Sequence, residues 1–97
     1  MLIDRGVLPG EIITIKSTSG EEIIAKLIEE DSMYYTLAKP MVVVMTQNGA
    51  SLIPYLLTVN LEKNIKLAKS ATTMHIEATE KTFADRYIEL TTNIKLV

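Results

Sequence analysis

Apolar and polar residues alternate with period two through most of residues 12–59, and the alternation breaks at Ser19-Gly20 and again at Asn48-Gly49. Period two is the signature of strands that show one face to a core, and a Gly between two apolar runs supplies the φ > 0 a tight hairpin needs. The pattern predicts a first strand over Glu11–Thr18 and a second over Glu21–Glu30, with Ile23, Ala25 and Leu27 on one face. The opposite face carries Ile24, Lys26 and Ile28, so it is only half polar and something should cover it. A third strand is predicted from Met33 to Thr46, with a bulge or bend at Pro40, and a fourth from Ala50 to Val59, where Pro54 removes one ladder donor. Met41–Met45 and the fourth strand are apolar on both faces, the mark of burial from two sides. An edge strand of that composition must pair or aggregate.

The remainder divides into three. Gly6, Pro9 and Gly10 make residues 1–10 an arm. Residues 60–68, rich in Lys, Asn and Glu, read as a loop, and Ser70–Ala78 as a fifth strand with Met74, Ile76 and Ala78 on one face and Thr73, His75 and Glu77 on the other. Phe83, Tyr87, Leu90 and Ile94 then recur at helical spacing, with Thr79 as N-cap and Glu80 in the first turn. The organisation expected is an arm over 1–10, one β domain over 11–78, and a helix with its tail over 79–97.

Composition narrows the chemistry. With 97 residues, 47% of them apolar, the chain is one domain, small enough that association with other copies is a natural way to bury more surface. There is no Cys, which removes disulfides and thiolate metal sites, and a single His, which leaves no partner for a metal or catalytic role. Twelve acids against ten bases give a net charge of −2, so attraction to a polyanion must be local. Met1-Leu2-Ile3 is followed by Asp4 and Arg5, unlike a signal peptide, and no run has the length of a membrane span. A non-enzymatic cytoplasmic protein that needs no cofactor or metal and touches no membrane is the expectation.

Two features offer binding chemistry. Tyr34 and Tyr35 follow the acidic turn Glu29–Ser32, and one of the two rings, on a strand start, is placed to stack on an unpaired base. Lys63, Lys66 and Lys69 form the densest basic stretch, which repetition around an oligomer would turn into a phosphate track. The plain alternative is a strand-capping tyrosine and a solvated loop. Glu29, Glu30 and Asp31 oppose phosphate close by.

The spacing of Ile13, Ile15, Gly20, Ile23, Ala25, Leu27 and Asp31, followed by Met33, Tyr34, Tyr35 and Leu37, resembles the first motif of the Sm/LSm family. Ala25 stands where that motif has a second Gly, Tyr34 where it has a base-contacting Asn, and Lys69-Ser70 where a second motif has Arg-Gly. Gly20–Ile23, Pro40–Thr46 and Lys69-Ser70 resemble, more specifically, the divergent Sm-like proteins of marine bacteriophages. The resemblance implies a strongly bent, five-stranded antiparallel barrel with a C-terminal helix, forming a homo-oligomeric ring that binds single-stranded RNA, or DNA, at its pore through Tyr34 or Tyr35, the three lysines and Ser70. It also implies that the fourth strand of one subunit pairs with the fifth of the next, placing Ile53, Tyr55, Leu56, Leu57, Thr73 and His75 in the interface. A structural or adaptor oligomer that docks another protein is the competing expectation.

Overall fold

The computed structural model describes residues 7–93. Six strands and one helix follow in order: β1 (Ile12–Lys16), β2 (Glu22–Glu30), β3 (Tyr34–Thr46), β4 (Gly49–Pro54), β5 (Ile65–Ala68), a 3-10 turn (Lys69–Ala71), β6 (Glu77–Ala78) and α1 (Lys81–Asn93). All pairings are antiparallel, in the order β4-β3-β2-β1-β6, with β5 lying along the first half of β3. The fold is thus mostly β with one C-terminal helix, as the alternation predicts. Among the described residues its sheet has six strands, not the five expected, and is not closed into a barrel: β4 and β6 remain at opposite ends of the order.

Local chemistry fixes the two hairpins. Gly20 and Gly49 adopt φ of 102° and 108°, conformations an L side chain resists. At the first turn the Ser17 and Ser19 hydroxyls donate to the Glu21 carboxylate at 3.0 and 2.6 Å, and those bonds, Ser19's foremost, hold its pKa below the ordinary value. At the second, Thr46 Oγ1 donates to the Gly49 carbonyl and accepts from the Asn48 amide.

Both faces of the sheet bury apolar side chains. Ile13, Ile15, Ile23, Ala25, Leu27, Tyr35 and Leu37 form the main core, with Val7, from the predicted arm, and Tyr55, Leu67 and Ile76 packed against it. The half-apolar second face of β2 is covered by α1, whose Tyr87 and Phe83 pack on Ile24, Met41 and Leu52. Burial from two sides therefore holds for Met41, but it lapses toward the hairpin tip, where Met45 is 78% exposed.

The bend in β3 is where α1 takes hold. Between the pairs Ile24–Met41 and Lys26–Ala38 the β3 side has one extra residue, so Pro40 sits in a bulge as predicted. Lys39, just before it, adopts φ of 49°, the left-handed region. The single hydroxyl hydrogen of Tyr87 is shared between the carbonyls of Ala38 (2.8 Å), which flanks the bulge, and Lys39 (3.0 Å), which lies in it. Burial pushes the Tyr87 phenol up to about 12, with the Lys26 backbone acting in the opposite direction. A phenol whose folded pKa lies above its unfolded value adds stability fully present below the unfolded value of 10.0 and lost as pH rises through about 12. Alkaline unfolding followed by phenolate absorbance should show this loss, and Tyr87→Phe should remove that part of it.

Four boundaries depart from the sequence reading. The fourth strand ends at Pro54 instead of Val59: after Tyr55 donates its amide to the Pro40 carbonyl at 2.9 Å, the chain leaves the sheet. The predicted loop over 60–68 contains β5, because Ile65 and Leu67 lie opposite Leu37 and Tyr35, while lysines spaced by three disguised the period of two. The predicted fifth strand over 70–78 is instead a 3-10 turn, one bridge between Ser17 and Thr72, and the two-residue β6. Finally, Thr79 is not the N-cap. Its amide donates to Ile12 and its hydroxyl pairs with that of Thr14, whereas the Glu80 carboxylate accepts from the amides of Thr82 and Phe83. Within the predicted stripe Phe83 and Tyr87 face the sheet, Leu90 is 38% exposed with Thr91 buried in its stead, and Ile94 lies outside the described residues.

Candidate nucleic-acid interface

The acidic turn is a built element. Asp31 Oδ1 accepts the amides of Met33 and Tyr34, both at 2.8 Å, and its own amide donates to the Tyr34 carbonyl at 3.0 Å. These bonds, the Met33 amide first, lower the Asp31 pKa and fix the direction in which β3 starts. Alternation then sends the neighbouring tyrosines to opposite faces. Tyr35 is 7% exposed and belongs to the core, so its ring is not free to stack; Tyr34 is 38% exposed.

The β5 pairing decides which lysines reach them. Tyr34 lies opposite Ala68 and Thr36 opposite Lys66, and the Lys66 ammonium stands 5.8 Å from the Tyr34 ring centroid. Lys69, which opens the 3-10 turn, donates from Nζ to Glu30 at 2.6 Å and stands 5.1 Å from the Tyr35 ring centroid. The hydrogen bond to Glu30 is the main reason its pKa is raised. An ion pair this exposed is screened by water, so it is an exchangeable contact rather than a structural anchor. Ser70 follows on the exposed side of the same turn. Lys63 does not join this group: it lies in the turn closed by its amide on the Asn60 carbonyl, beside Pro40, Leu56 and Ile65.

The structure therefore sets Lys66 against Tyr34, and Lys69, with Ser70 next to it in the chain, against Tyr35 and Glu30, with Lys63 elsewhere. The residue that sequence reading did not single out as a partner is Glu30. Its pairing with Lys69 spans 39 positions and needs β5 to be placed, although Asp31 two residues before Met33 is a local signal for the turn.

The edge residues divide in a similar way. Ile53 on β4 is 42% exposed and Leu57, just beyond it, 82% exposed. Leu56 is half-buried, and half-buried Tyr55 packs on the core. Thr73 and His75 are exposed on the segment between the 3-10 turn and β6, with the Thr73 amide donating to Lys16. The two sets thus sit at opposite edges of one sheet, each edge having one side without a strand neighbour among the described residues.

Among the described residues no three His, Asp or Glu side chains gather in a group able to hold a metal ion, and no helix is long and apolar enough to cross a membrane. No known family model matches the chain, and no curated protein matches it in sequence.

Proposed function

We propose that this chain is an Sm-like, ring-forming subunit of the cytoplasm, its phage-type relatives included in the analogy, and that the ring binds single-stranded RNA, or DNA, without catalysis. The observation that carries the reading is the outward Tyr34 ring beside the Lys66 ammonium: an aromatic face for a base and a cation for the adjoining phosphate. Support for the Sm-like plan comes from the bent central strands and from the 3-10 turn that carries the chain from β3's partner back to β1. In the ring, β4 of one copy pairs with the Thr73–Ala78 edge of the next, covering Ile53 and Leu57. Head-to-tail contacts of this kind close when the rotation between copies is right.

In this reading Lys66 carries more weight than Lys69. Lys69 already has an anion in Glu30, so a phosphate gains less there than at Lys66. Lys66→Ala should therefore weaken binding of oligoU, oligoA and oligodT alike and lower the salt slope by about 1, while Lys69→Ala changes the slope less. Tyr34→Ala should cost about 1–3 kcal/mol for a stacked base with the slope unchanged. Fluorescence anisotropy over a salt series separates the three. The same Glu30–Lys69 pair, with the net charge of −2, favours the second reading, an adaptor oligomer that docks a protein. Absence of binding to all three oligonucleotides at low salt would leave that reading standing.

A further inference from the structure

A second site lies at the β3 bend, lined by Ala38 and Lys39 and not by Tyr34. A cleft of about 520 Å³ opens between α1, the outer face of β2 and β3, and the segment before β5. Its size lies within the range of small-molecule sites. Lys26 and Lys39 line it, and Ile12, Ile28, Leu61 and Ile88 form apolar walls. Asn64 adds an amide at the rim. The acid facing these lysines is Glu62, whose carboxylate stands 4.0 Å from the Lys39 ammonium, a loose contact that leaves donors on Lys39 for a ligand.

The backbone under Lys39 points the same way. Left-handed φ at a side chain other than Gly costs free energy, and a following proline further restricts the residue before it. Glycine at 39 would relieve that strain at once. Lysine keeps it, and Tyr87 holds the strained segment in place by bonding the carbonyls of Ala38 and Lys39. The held backbone thus fixes where the Lys39 side chain leaves the strand, at the cleft wall.

We propose that this cleft binds a nucleoside monophosphate, with the phosphate between Lys26 and Lys39 and the base laid against the apolar walls near Asn64. Two lysines beside apolar walls and one amide suit an anion carried on a mostly apolar body with hydrogen-bonding groups. Neither a bare phosphate nor an uncharged nucleoside uses both halves of the cleft.

Nuclear magnetic resonance titration of the isotope-labelled full chain with uridine and adenosine 5′-monophosphates tests this, with uridine and inorganic phosphate as partial ligands. Saturable shifts are expected at the amides of Lys26, Lys39, Leu61 and Ile88, with the nucleotides binding about tenfold more tightly than either partial ligand. Lys39→Gly should raise the thermal midpoint by removing strain and yet weaken nucleotide binding about tenfold, a combination that a merely structural lysine does not produce. Lys26→Met, at an exposed strand position, should weaken binding without moving the midpoint, and Lys66→Ala should change neither. The proposal is overturned by any of three results: no shifts at millimolar nucleotide, shifts centred on Tyr34 and Lys66, or unchanged affinity in Lys39→Gly and Lys26→Met.

Discussion

Replacing Tyr87 by Ala is expected to destabilise the protein by about 3–5 kcal/mol, the range for truncating a buried aromatic ring. Three losses coincide at that position. The ring is 3% exposed and fills the space between Ile24, Met41 and Leu52, so its removal leaves a cavity under α1. Its hydroxyl is the donor for two carbonyls of the β3 bulge, which then stay unsatisfied or admit water. The helix also loses its deepest anchor, since Phe83 is only half-buried and Leu90 faces away. Tyr87→Phe keeps the packing and removes the donor alone, at a cost of about 1–3 kcal/mol. Urea denaturation of the two variants against the unmutated chain measures both steps. A Tyr87→Ala protein as stable as the parent would show that α1 does not hold the bend.

The second large effect concerns assembly. Ile53→Lys places a charge on the exposed face of β4, and a buried charge without a partner is costly enough to abolish a strand–strand contact made there. A ring should fall apart into monomers that keep their own fold, because Ile53 is 42% exposed within one subunit and contributes little to its core. Sedimentation velocity reports the change in size, and circular dichroism reports that the sheet survives. Leu57→Ser, at the most exposed apolar side chain of the region, should act in the same direction.

Where each strand's inner face is strictly alternating, the sequence shows the fold well. Ile13, Ile15, Ile23, Ala25 and Leu27 are all buried as their spacing requires, and both hairpins fall at their glycines. The need for a cover over Ile24 is also legible, and α1 meets it. Reading fails where one signal overlies another. Lysines at every third position hide the two-residue period of Ile65 and Leu67, and with β5 unseen the neighbour of Tyr34 could not be known. Met74 and Ile76 alternate like a strand, yet most of residues 70–76 lie outside a ladder, since a bridge at Thr72 and the pair at Glu77–Ala78 carry the contact with β1. Thr79 looks like an N-cap by type alone; its bonds to β1 give that role to Glu80.

The candidate site follows the same logic. That one tyrosine of the pair points outward is implied by alternation, but the choice of Tyr34 depends on the register set by Asp31 and on an extra residue in β2 between Leu27 and Glu29. The pairing of Lys69 with Glu30 is long-range and invisible to spacing. It changes the electrostatic argument, because the lysine nearest the resemblance to a family motif is already paired with an acid, while Lys66 carries the contact to Tyr34.

Native mass spectrometry of the unmutated chain, with and without short oligoU and oligoA, reads assembly and ligand in one spectrum. A single closed oligomer that takes up a single strand is expected, and an Ile53→Lys protein that appears as a monomer with that uptake lost. A monomer at micromolar concentration that takes up neither oligonucleotide would contradict that expectation.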